Sequence, residues 1–132
     1  MSRYLVDTTT LIDFSKGFEP VATRLKAIID AGGELIVCAV QVAEFYRGLE
    51  PKHRTKWNEF FEVLTYWNIS LVAAQNAGIL RREYARQGRI LTITDALLAA
   101  VAIETGVELI TENPKDFPMP NIRLLSLRGK RS

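Results

Sequence analysis

One cysteine and one histidine in 132 residues set the first limits on what this chain can do. The lone Cys38 excludes a disulfide framework and any multi-cysteine zinc site. The lone His53 excludes two-histidine zinc motifs and most histidine-driven acid–base chemistry, and its place near a helix start fits the surface. Long apolar runs are missing too. The longest, Ala96 to Ile103, falls short of the ~20 residues that a membrane span requires. Met1 to Asp7 holds no signal-peptide apolar block, so the expected setting is the reducing cytoplasm, away from membranes. Excess charge of one sign is also absent. Lys+Arg number 17 against 15 Asp+Glu, a net charge of +2, which excludes a purely electrostatic grip on nucleic acid and leaves only local patches.

What is present is the composition of an ordinary globular domain, 48% hydrophobic and 24% charged. No repeat, low-complexity tract or linker divides it. The expectation is one domain over residues 1–127, with residues 128–132 (among them Arg128, Lys130 and Arg131) as a disordered basic tail.

Periodicity alternates between strand and helix. Tyr4-Leu5-Val6 reads as a buried strand, followed by a short helix from Thr8 to Ser15 that Gly17 stops. Val21, Leu25, Ile28 and Ile29 mark a helix face ending at Gly32-Gly33. Glu34 to Ala39 reads as the second strand. Val42, Phe45, Tyr46 and Leu49 mark a helix that Pro51 ends, and Trp57, Phe60, Phe61 and Leu64 mark another. Asn68 to Val72 fits a brief strand. Ala73, Ala77, Leu80 and Tyr84 form a further stripe, and Thr92 to Glu104 is a core helix, apolar nearly all round. Strands at Val107–Ile110 and Ile122–Leu125 complete the series. This alternation predicts an α/β fold with a parallel sheet of four or five strands flanked by helices.

In such sheets, functional groups gather beyond the carboxyl ends of the strands. Asp7 follows the first strand, Glu44 lies on the helix after the second, Asp95 opens the buried helix, and Asp116 lies in the loop after the Val107–Ile110 strand. Four acids from distant parts of the chain thus map to one sheet edge. Carboxylates facing one another without cationic partners repel, and a divalent cation relieves the conflict. Hard oxygen donors suit Mg²⁺ or Mn²⁺, whose bound water serves as a nucleophile toward phosphate. Each acid also has a plain structural reading. Spacing alone favours an N-cap role for Asp7, and Thr92 to Asp95 fits a capping box. Glu44 fits a solvated helix face, and Asp116 fits a brace for the turn after Pro114. Asp13 and Glu112 are expected at the surface. Thr8, Thr9, Thr10, Thr94 and Thr111 are positioned to hold carboxylates or metal waters, or to cap helices.

At these residues the chain resembles the PIN-domain ribonucleases. Val6-Asp7-Thr8-Thr9-Thr10-Leu11-Ile12 is similar to their opening motif and Val42-Ala43-Glu44-Phe45-Tyr46-Arg47-Gly48 to their second. Thr94-Asp95-Ala96-Leu97-Leu98-Ala99-Ala100 is similar to the third, and Ile110-Thr111-Glu112-Asn113-Pro114-Lys115-Asp116-Phe117 to the fourth. The order and spacing match over almost the whole chain, most nearly as in the VapC-type toxins of toxin–antitoxin pairs. The resemblance implies a PIN-like fold, Asp7, Glu44 and Asp95 as principal metal-binding acids, and Asp116 as a more variable fourth. It assigns supporting positions to Thr8, Thr111 and Asn113. Thr9 stands where Asn or Ser is usual. Its hydroxyl supports a surviving site with altered metal affinity. The resemblance further implies Mg²⁺- or Mn²⁺-dependent endoribonuclease action on tRNA or rRNA, a homodimer, and a protein antitoxin.

Candidate RNA contacts are Arg47, Lys52, Arg54, Arg81, Arg82, Arg86 and Arg89, with solvated helix faces as the plain reading for at least half of them. Trp57, Phe60, Phe61 and Trp67 can stack bases, but their stripe fits core or interface. Two rival readings stand beside the nuclease: a PIN-like module that binds RNA or protein without cutting, and a phosphoacceptor receiver domain. The receiver needs paired acids after the first strand and a lysine after a late one. Here Asp7 stands alone and Thr111-Glu112 follows the late strand.

Overall fold

The computed structural model describes residues 2–128. Five strands, β1 (Arg3–Val6), β2 (Glu34–Val37), β3 (Thr65–Tyr66), β4 (Glu108–Ile110) and β5 (Leu124–Leu125), form one sheet in the order β3-β2-β1-β4-β5. Every pairing is parallel, with Leu5 opposite both Ile36 and Leu109. The strands therefore all end at the same edge. The predicted α/β architecture is the one observed.

Side chains on a strand alternate between faces, and this sorts the core into two layers. Leu5, Ile36 and Leu109 point to one face and pack with α5 (Leu71–Arg86) and α6 (Ile93–Thr105). Val6, Val37 and Ile110 point to the other and pack with α1 (Thr8–Ser15), α2 (Val21–Asp30), α3 (Ala39–Arg47) and α4 (Arg54–Glu62). On that second face the aromatic stripe is core. Phe45 packs edge-on against Trp57 and Phe61, and Phe14 stacks on Phe60. Trp67 joins the opposite layer, where the Arg3 guanidinium lies over its ring.

The helix ends follow local chemistry. Thr92 caps α6 by accepting a hydrogen bond from the Asp95 N–H at 3.1 Å. Gly106 closes α6 at φ 72°, a left-handed conformation that side chains resist. The strand expected at Asn68–Val72 lies instead at Thr65–Tyr66. The cause is Ser70, whose hydroxyl caps α5 by accepting from the Ala73 N–H, so Leu71 and Val72 enter the helix. His53 is exposed at the start of α4, and Cys38 is buried, which pushes its thiol up to about 11. Of the expected tail, residues 129–132 lie outside the described residues. Arg128 is described, and its side chain donates to Asp13.

Gln41 is a fully buried polar residue that the sequence patterns did not single out. Its Oε1 accepts from the Cys38 N–H at 2.8 Å, and its Nε2 donates to the Val6 carbonyl at 3.0 Å. It thus ties the first turn of α3 to the end of β1. Gln41→Leu keeps the volume but strands a buried N–H and a buried C=O. We expect it to lower stability by about 2 kcal/mol in urea unfolding. A loss near zero would show that water replaces both bonds.

Candidate active site

The parallel register carries all four acids to the shared strand-end edge. The Asp7 N–H extends the β1–β4 pairing by donating to the Ile110 carbonyl at 3.0 Å. That bond fixes Asp7 between β1 and α1, with its backbone at the N-cap position. Its carboxylate, 6% exposed, accepts from the Thr111 hydroxyl at 2.7 Å. Asp95 sits in the first turn of α6, half-buried. Glu44 lies on the exposed side of α3, where its two oxygens accept from Thr8 Oγ1 at 2.7 Å and Thr94 Oγ1 at 3.2 Å. Asp116 is exposed at the end of a 3-10 turn, Pro114–Asp116.

These residues line one cleft of about 390 Å³, with Asp7, Thr8, Thr9, Glu44, Arg47, Thr94, Asp95 and Asp116 among its walls. Asn113 stands just behind it. Its N–H donates to Thr111 Oγ1 and its carbonyl accepts from the Asp116 N–H. Thr10 is turned into the interior, with its hydroxyl unpartnered among the described residues. Arg81, Arg82 and Arg86 are exposed on α5 and do not line the cleft. Arg81 donates to the Leu91 carbonyl, and Arg89 donates to the Lys115 carbonyl beside Asp116. A cleft of similar volume at the opposite end of the strands contains one acid, Glu108.

Two expectations are corrected. Asp13 is buried, 6% exposed, because α1 turns it inward to pair with Arg128 at 2.9 Å. Glu112 is also buried, 2% exposed, because the chain beyond β5 folds back and offers it hydrogen-bond donors. Neither faces the cleft.

Among the described residues, none of the four cleft acids has an ion-pair partner. Two of them, Asp95 and Asp7, hold their protons more tightly than usual. Burial raises the Asp95 pKa to about 6, against a hydrogen bond from Thr92, and repulsion from Asp116, Asp7 and Glu44 adds to the rise. Burial likewise raises Asp7, opposed by the Thr111 hydroxyl and by the N–H groups of Thr9 and Thr8. The acids lie within Coulomb range of one another, yet no three donors close into a ready-made metal cage among the described residues.

The sequence pattern of the PIN-domain family matches residues 4–118. This chain belongs to the PIN-domain family. Among relatives of this PIN domain, Ribonuclease VapC19 of Mycobacterium tuberculosis is 29% identical over 115 residues, covering 87% of this chain and 92% of that protein. Ribonuclease VapC2 of Haemophilus influenzae is 27% identical, covering 97% and 96%. In fold, the PIN domain is similar to a chain in the crystal structure of VapBC2 from Rickettsia felis bound to promoter DNA. The TM-score is 0.78 at 23% identity, over 94% of this chain and 98% of that one.

The raised Asp95 pKa has a definite sign. Its folded pKa, about 6, lies above the unfolded value near 3.8, so the protonated acid favours folding. That contribution is present below the unfolded pKa and is lost as pH rises through about 6. In EDTA, Asp95→Asn is therefore expected to stabilise the fold at pH 7 by ~1 kcal/mol, after discounting for the half-open site, and not at pH 4. Equal thermal shifts at the two pH values would dismiss the raised Asp95 pKa.

Proposed function

We propose that this PIN domain is a metal-dependent endoribonuclease, the toxin of a toxin–antitoxin pair. The observation that carries the reading is a cleft of four carboxylates, on separate elements, that lack ion-pair partners. A fold does not hold repelling acids together for stability, and clustered oxygen donors suit Mg²⁺ or Mn²⁺. The names of its relatives, ribonucleases of the VapC type, agree.

Asp7, Glu44, Asp95 and Asp116 would hold the metal. Bound there, it would supply an activated water and neutralise charge on the scissile phosphate. The chain's own groups prepare the site. Thr111 fixes one oxygen of Asp7, and Thr8 and Thr94 aim Glu44. Arg47 lines the same cleft and offers a cation to an RNA phosphate. Arg81, Arg82 and Arg86 on α5 extend the basic surface for a longer RNA, with tRNA or rRNA as the substrate class. Further parts of the reading are a homodimer, an antitoxin protein that covers the cleft, and a cytoplasmic setting. No described helix is long and apolar enough to cross a membrane.

The rival reading is a PIN-like module that binds RNA or protein without cutting. Cleavage assays separate the two. Protein freed of antitoxin, with total RNA and Mn²⁺ or Mg²⁺, is expected to give discrete fragments that EDTA abolishes. Asp7→Asn and Asp95→Asn are each expected to lower the rate by ~100-fold or more while circular dichroism stays unchanged. Intact RNA from folded, Mn²⁺-binding protein would turn the conclusion to the binding module.

A further inference from the structure

Glu112 lies one residue beyond Thr111 and points the other way, as neighbours on extended chain do. Thr111 holds Asp7 on the cleft side. On the far side, Glu112 takes hold of the chain that follows β5. Its Oε1 accepts from Ser126 Oγ at 2.6 Å and from the Arg128 N–H at 3.2 Å, and its Oε2 accepts from the Leu127 N–H at 2.7 Å. This strap has other anchors. Leu127 is 5% exposed in the core, and its carbonyl accepts from Arg24 of α2 at 2.6 Å. Arg128 pairs with the buried Asp13 of α1.

The consequence is mechanical. α1 begins immediately after Asp7, and Asp13 lies on it. The β4 loop carries Thr111 and Asp116. The strap thus joins α1 to that loop from behind, on the side of the Asp7–Thr111 bond away from the cleft. We infer that Glu112 is a positioning residue of the cleft: by clamping residues 126–128 it fixes the loop that holds Asp7 and presents Asp116. The geometry is itself unusual for a carboxylate meant only for solvent, being a buried acid fed by backbone N–H donors. Functionally, the inference rests on the nuclease reading above.

The test compares wild type with Glu112→Gln, which keeps the size but turns a donor toward the strap. The expected result is a folded variant with Mn²⁺ affinity and kcat each reduced ~10-fold, KM unchanged, and shifted amide NMR signals at Asp7, Thr8 and Thr111. A variant that melts earlier but keeps wild-type Mn²⁺ affinity, kcat and those signals overturns the inference, because Glu112 would then merely secure the chain end. If Glu112→Gln fails to fold, Asp13→Asn loosens the other anchor. In that variant, displaced Thr111 and Asp7 signals support the inference and unmoved ones overturn it. Wild type that neither binds Mn²⁺ nor cuts RNA defeats the nuclease reading alone, and the NMR signals still decide whether Glu112 positions Asp7.

Discussion

Carboxylates drawn into a cleft without a cationic partner, where burial and mutual repulsion both work against their charge, are the constraint around which the site is arranged. Asp95 is opposed at once by Asp116, Asp7 and Glu44. No side chain of Lys or Arg relieves any of the four among the described residues. Hydroxyls do the holding instead. Thr111 takes Asp7, Thr8 and Thr94 take Glu44, and Thr92 faces Asp95. A hydroxyl orients a carboxylate without neutralising it. The negative potential of the cleft survives, ready for a cation, whereas a salt bridge would have spent it.

Holding charge without neutralising it requires a stiff frame. The parallel sheet provides the first part. β1, β2 and β4 end together, and Asp7 continues the hydrogen-bond ladder one residue past β1. Gln41 provides the second, since it bonds the Val6 carbonyl and so fixes the chain at the step before Asp7 while setting the first turn of the helix that bears Glu44. Buried polar residues placed this way specify one arrangement in a core that apolar packing alone leaves adjustable.

The elements that were legible in the sequence are those whose causes are local. The short apolar runs that hold Leu5-Val6, Ile36-Val37 and Leu109-Ile110 read directly as buried strands, and the Thr92 cap reads directly too. The four acids could be mapped to one edge because strand ends and helix starts determine their place. What could not be read depends on long-range partners. Glu112 and Asp13 are charged residues with no local signal of a partner, and the return of residues 126–128 supplies their donors. The misplaced third strand has the same origin. Thr65 is selected by pairing with Ile36, while Ser70 withdraws its neighbours into α5. Gln41 did carry a local signal, a Gln three residues after the helix cap, in the position of a capping-box partner.

The two strap acids and the four cleft acids follow one rule with opposite results. Glu112 and Asp13 are supplied with donors from the strap: two backbone N–H groups and the Ser126 hydroxyl for one, a guanidinium for the other. Their charge is consumed in holding the chain end. The cleft acids receive only hydroxyls and a few helix-start N–H groups, so their charge remains available to the solvent side. The two sets meet in the short stretch from Thr111 to Asp116, where Thr111 holds the cleft's Asp7, Glu112 holds the strap and Asp116 lines the cleft. Structure and site are therefore not separate layers of this domain. The loop after β4 is locked on one face so that its other face can keep an unneutralised acid in place.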